Sequence, residues 1–109
     1  MLNLIKKLFA KQYQDLDGQA FKAAYQTSKG AVLLDVRTPS EYKAGTINGA
    51  KNINVTSLDF NSQIAKLPKD KEYFVFCRSG ARSGNACRMM SAQGFKVTNL
   101  SGGIASWPR

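Results

Sequence analysis

Glu72-Tyr73-Phe74-Val75-Phe76-Cys77-Arg78-Ser79-Gly80-Ala81-Arg82-Ser83 is the stretch on which the fold of this chain turns. An apolar run stops on a cysteine, a small basic loop with one glycine follows, and a helical pattern begins directly after it. Residues 71–76 read as a strand that delivers Cys77 to its carboxyl end, and residues 81–93 as a helix ended by Gly94.

The same alternation extends outward in both directions. Upstream, Ala31-Val32-Leu33-Leu34-Asp35-Val36 is an apolar run of the kind expected for a strand buried on both faces. Thr38-Pro39-Ser40-Glu41 then carries three helix-start signals: a capping hydroxyl, a proline at the first helical position, and a glutamate that closes a capping box. Gly45 ends that helix. Residues 51–55 read as a further strand, and residues 56–67 as a helix stopped by Pro68. Residues 96–100 form a last strand and residues 104–107 a final helical turn. Nearer the start, residues 13–16 are a short extended piece, and Asp17 caps a helix running to about Gln26. Repeated strand–helix alternation argues for the α/β class: an open, mainly parallel β-sheet flanked by helices on both faces. In such sheets ligands sit outside the carboxyl ends of the strands, which is where Cys77 lies.

Thiolate, not thiol, is the reactive form of cysteine, so the surroundings of Cys77 matter through the charge they favour. Gly80 lets consecutive backbone amides curl into an anion-binding nest. A helix starting near Ala81 or Arg82 adds its positive dipole end, and Arg78 and Arg82 add full charges. Cys77 is therefore expected to be deprotonated near neutral pH, accessible and ready to attack. The competing reading, a cysteine that merely ends a buried strand, leaves this clustering unexplained. Cys87, ten residues further on, has two readings. It is either a resolving thiol or a small core residue sharing a helix face with Ala86 and Met90, and the shared face favours the core. Trp107 likewise has two readings, a binding aromatic or a residue closing the core at its C-terminal end, and the second is favoured.

Composition sets the bounds. With 109 residues, 43% hydrophobic and 21% charged, the chain is one globular domain with a genuine core. Two cysteines are too few for a disulfide framework and match no zinc spacing. There is no histidine, so Cys–His and Ser–His–Asp arrangements and imidazole metal sites are excluded, and no metal is expected. Any nucleophile must be activated by backbone and cations. The net charge of +9 is spread along the chain without a basic block or interleaved aromatics. It reads as a field for small anions or acidic partner proteins, not as a nucleic-acid footprint. No transmembrane segment is expected. The opening Met1-Leu2-Asn3-Leu4-Ile5-Lys6-Lys7-Leu8-Phe9 is apolar before its lysines, the reverse of a secretory signal, so a cytoplasmic location with reduced thiols is expected. Asn54-Val55-Thr56 and Asn99-Leu100-Ser101 are then chance matches to a glycosylation pattern.

Three segments together carry a resemblance. They are Leu34-Asp35-Val36-Arg37-Thr38-Pro39-Ser40-Glu41-Tyr42-Lys43-Ala44-Gly45-Thr46-Ile47-Asn48-Gly49-Ala50, the Cys77–Ser83 loop, and Leu100-Ser101-Gly102-Gly103-Ile104-Ala105-Ser106-Trp107. In this order and spacing the chain resembles a single-domain rhodanese-like sulfurtransferase over residues 13–109. Residues 1–12 lie outside it, as an N-terminal amphipathic helical segment with Leu2, Ile5, Leu8 and Phe9 in one stripe. Where the family's first motif usually reads Gly-His-Ile-Pro-Gly-Ala, Thr46 and Asn48 replace its histidine and proline.

The resemblance implies that Cys77 carries a sulfane sulfur as a persulfide, cradled by the loop Arg78, Ser79, Gly80, Ala81 and Arg82. No cofactor beyond that covalent sulfur is implied. The thiolate would take sulfur from a small anionic donor such as thiosulfate and pass it to cyanide, a thiol or a small-protein acceptor. Asp35 and Arg37 follow a buried strand into the ligand-binding end and invite an acid–base role, but the stronger reading makes them supporting residues, Arg37 pairing with Asp35 or Glu41 to hold the loop after its strand. Two other classes fit the architecture: a binding or regulatory module that lost catalysis, which intact Cys77 argues against, and an oxyanion-handling phosphatase or arsenate reductase. Phosphatases of this architecture place an arginine six positions after the cysteine, where this chain has Ser83.

Overall fold

A computed structural model describes residues 13–109. The amphipathic segment expected over residues 1–12 lies outside the described residues. Five strands, β1 (Gln14–Leu16), β2 (Val32–Asp35), β3 (Lys51–Asn52), β4 (Glu72–Phe76) and β5 (Lys96–Leu100), form one sheet in the order β1-β5-β4-β2-β3. Every pairing is parallel. Between them run α1 (Gly18–Thr27), α2 (Pro39–Ala44), α3 (Phe60–Ala65) and α4 (Ala81–Ala92), and a 3₁₀ turn covers Ile104–Ser106.

Side chains alternate across a strand, so each apolar run feeds two cores. Leu34, Val36, Tyr73, Val75, Cys77 and Val97 face α3 and α4, meeting Phe60, Ile64, Ala86, Cys87 and Met90. Leu33, Phe74, Phe76 and Leu100 face the other way and pack on Phe21 of α1, with Tyr42 of α2 and Trp107 at the margin. Phe21 stands edge-on to Phe74 with ring centroids 5.4 Å apart, and to Trp107 at 6.1 Å. Trp107 therefore does close the core, with the Lys22 ammonium 5.4 Å from its ring.

The local signals at α1 and α2 take the expected form. Asp17 Oδ1 accepts the Ala20 amide at 2.9 Å, capping α1. Thr38 and Glu41 close a reciprocal capping box around Pro39. Two boundaries differ. The strand expected over residues 51–55 pairs with β2 only at Lys51 and Asn52, although the amides of Ile53 and Val55 still donate to Asp35 O and Val36 O. The helix expected from residue 56 begins only at Phe60. Asn54 Oδ1 accepts both the amide and the hydroxyl of Thr56, and Ser57 bonds Asp59, so local side-chain acceptors occupy the groups a helix start would use.

The chain leaves β2 toward β3 on one side and leaves β4 toward β5 on the other, so these two neighbours flank the switch point of the sheet. The amino-terminal ends of α2 and α4 follow directly from those two strands, on opposite faces. That is what gathers Asp35, Arg37, Glu41 and the Cys77 loop at one end of the molecule.

Candidate active site

Cys77 directly follows β4, the central strand bonded on both sides. Its Sγ accepts two hydrogen bonds, from the Gly80 amide at 3.1 Å and from the Ser83 hydroxyl at 3.3 Å. Gly80 is the N-cap of α4 and has φ of +101°, a left-handed conformation that turns its amide back toward the sulfur. A Cβ at Gly80 would also stand 2.3 Å from Ser101 O. On the far side of the loop, a Cβ at Gly103 would stand 1.9 Å from Arg78 O, and the Ile104 amide donates to Cys77 O at 2.9 Å. The loop thus rests on the chain leaving β5, at two places where only glycine leaves room.

Burial pushes the Cys77 thiol up, but the hydroxyl and amide of Ser83 and the amides of Gly80 and Ser79 together pull harder, and the thiol ends below its ordinary value. This is stabilisation of a thiolate by donors already aimed at it, with no imidazole taking part. The expected accessibility is not met: Cys77 is 0% exposed, because Gly80 and Ser83 fold over the sulfur. Arg78, Ser79 and Ala81 are the exposed members of the loop.

The two loop arginines differ. Arg78 is exposed and makes no ion pair among the described residues. Arg82 forks onto Glu41 of α2, with Nη1–Oε1 at 2.8 Å and Nη2–Oε2 at 2.9 Å. Its charge is therefore matched by a carboxylate and is not the free cation expected from the sequence. The Arg82 fork outweighs burial and, with the Thr38 amide and hydroxyl, holds the Glu41 carboxyl down to about 2.

Asp35 and Arg37 come together as a buried pair. Arg37 Nη2 lies 2.7 Å from Asp35 Oδ2, Nε bonds both carboxylate oxygens, and Nη2 also donates to Gly45 O at 2.6 Å. Of the two carboxylates considered for Arg37, Asp35 holds it. Thr46 joins by donating to Asp35 Oδ2 at 2.9 Å, so the residue in the place of the family histidine still ties its turn to β2. Cys87 is also 0% exposed, and burial, with the charges of Asp15 and Cys77, raises its thiol far above the ordinary value.

Comparison with known proteins places the chain in a family. The family model of the rhodanese-like domain matches residues 18–109. The chain belongs to the rhodanese-like family. A sulfurtransferase of Allochromatium vinosum is 33% identical over 96 residues, covering 87% of this chain and 88% of that protein. The crystal structure of a rhodanese-like domain protein from Staphylococcus aureus superposes with a TM-score of 0.75 at 26% identity, over 87% of this chain and 91% of that one. The structure of a NAD-dependent persulfide reductase from A. fulgidus is 28% identical with a TM-score of 0.67, and this chain spans 98% of itself but only 18% of that larger protein.

Three features of this rhodanese-like domain go beyond the motifs of its sequence. Ser83 stands where a phosphatase arginine would be, and its hydroxyl is the side-chain donor to Sγ. A signal was available, since Ser83 lies in the first turn of a helix whose amino end must face the thiolate. The Glu41–Arg82 fork joins residues 41 positions apart and has no local signature. Nor does the close approach of Gly103 to Arg78. Among the described residues, no helix is long and apolar enough to cross a membrane.

Proposed function

We propose that this protein is a sulfurtransferase in which Cys77 carries a sulfane sulfur, as a persulfide, from an anionic donor such as thiosulfate to cyanide or a thiol. The observation that carries the reading is the pair of donors on Sγ, the Gly80 amide and the Ser83 hydroxyl, at the head of α4. In the first half-reaction the thiolate attacks the outer sulfur of thiosulfate. The donor's S–S bond breaks, and sulfite leaves with its electron pair. In the second, the acceptor attacks the outer sulfur of the persulfide, and the electron pair returns to Cys77 Sγ. With cyanide the product is thiocyanate; with a thiol or small-protein thiol it is a new persulfide. Amides of residues 78–82 hold the terminal sulfur where negative charge develops. Arg78 draws the anionic donor to the exposed side of the loop.

No resident cofactor enters this cycle, and the two free thiols suit a reducing, cytoplasmic setting. After incubation with thiosulfate and removal of excess donor, mass spectrometry should find one added sulfur on the peptide containing Cys77, discharged by cyanide. Sulfur on Cys87 instead, or on neither, would overturn the reading. Aryl phosphates should be turned over negligibly, because Ser83 stands where a phosphatase arginine would be and directs its hydroxyl at the sulfur.

A further inference from the structure

Asn99 lies on β5 beneath the amino end of α4, and only 4% of it is exposed. Its Nδ2 donates to Asp15 Oδ1 on β1 at 2.8 Å and to Gly80 O at 3.3 Å. Two acceptors on one side settle which end of the amide is nitrogen, since the reverse orientation would set oxygen against oxygen. The price of that orientation is visible at the other end: Asn99 Oδ1 is buried and accepts no hydrogen bond among the described residues. A buried amide kept with one end unsatisfied calls for an account of what its other end does.

Gly80 O also accepts the first helical bond of α4, from the Gly84 amide at 2.9 Å. In a planar trans peptide the C=O and the N–H of the next residue point in opposite directions. Holding Gly80 O toward the sheet therefore turns the Ala81 N–H away from it and pins residue 80, whose own amide reaches Cys77 Sγ. Glycine at φ +101° has little torsional preference of its own to maintain that pose.

We propose that Asn99 is a positioning residue for the Cys77 thiolate: its amide anchors the Gly80 carbonyl and so keeps the loop amides aimed at the sulfur. The proposal deepens the sulfur-transfer reading, on which its catalytic consequence rests. Its effect on the thiolate stands on the geometry alone.

Three measurements test it. In a Cys87→Ser background, Asn99→Leu and Asn99→Val remove the donor while keeping a strand-compatible buried side chain. With folding checked by thermal denaturation, the pH midpoint of Cys77 alkylation should rise toward the free-thiol value of about 8.5. Alkylation at neutral pH should slow by about threefold to tenfold. In sulfur transfer from thiosulfate, kcat should fall more than KM changes. In the otherwise unmodified chain, NMR should show the Asn99 side-chain amide resonances shifting with pH at the same midpoint as Cys77. Folded variants with an unchanged alkylation midpoint, or Asn99 resonances indifferent to Cys77 ionisation, would overturn the proposal; the second result decides even if neither variant folds. Alkylation and NMR need no turnover, so a wild-type protein that fails to transfer sulfur would end the functional reading while leaving Asn99 separately judged.

Discussion

Cys77 and Cys87 share one core, one helix–strand unit and complete burial, yet their surroundings drive them in opposite directions. Burial raises both thiols. At Cys87 nothing sufficient opposes it, and the nearby charges of Asp15 and Cys77 add to the rise. At Cys77 the amides of a glycine turn and the hydroxyl of Ser83 reverse it. Burial alone therefore does not decide which way a cysteine thiol is driven. What separates them is whether hydrogen-bond donors converge on the sulfur, and here that follows from position: one cysteine precedes a helix, and the other lies inside it.

The sharpest way to break the comparison is to remove each sulfur in turn. Cys77→Ser should abolish transfer from thiosulfate to cyanide, whereas Cys87→Ser should retain most of it while destabilising the fold by about 1–3 kcal/mol for a buried hydroxyl. Steady-state assays and denaturant melts on both variants check this; equal activities would show that the two thiols are interchangeable.

A smaller effect is expected from taking one donor away. Ser83→Ala should raise the alkylation midpoint of Cys77 and slow its alkylation at neutral pH by about threefold to tenfold. The midpoint rises because the lost hydroxyl favoured the charged form, and the lowered thiol also bears on stability. A thiol whose folded value is lowered stabilises the fold above its unfolded value, and that contribution is lost as pH falls through the folded value. Rate–pH curves in the Cys87→Ser background measure the midpoint, and a curve identical to that of the parent would mean the hydroxyl does not hold the thiolate. Over the same pH range Cys87 in the native fold should stay unreactive.

The smallest effect concerns the frame around the loop. Glu41 sits well below its ordinary value of 4.5, at about 2. Its pairing with Arg82 and its closure of the capping box should therefore stabilise the protein fully above that ordinary value and be lost as pH falls toward 2. Thermal melts between pH 5 and 2.5 should lose a few degrees on this account, and Glu41→Gln should flatten that part of the curve. An unchanged acid limb in the variant would show that the fork contributes nothing measurable. The buried Asp35–Arg37 pair is a different matter, since removing one partner leaves an uncompensated charge in the core.

The amino-acid sequence by itself determined the α/β alternation, the capping box at Thr38 and Glu41, the placement of Cys77 at the end of β4, and the start of α4 after Gly80. Each of these rests on interactions within about one helical turn or one strand, so the residues that cause it are adjacent in the chain. Only the tertiary structure decided that Cys77 is enclosed, that Arg82 spends its fork on Glu41, that Asn99 reaches Gly80, and that Gly103 lets the β5 exit press against Arg78. It also left β3 as an edge strand paired with β2 only at Lys51 and Asn52. The physical reason is the strand order. Placing β4 between β2 and β5 brings segments 19 to 41 residues apart into hydrogen-bond range, and no local preference encodes which of them will meet.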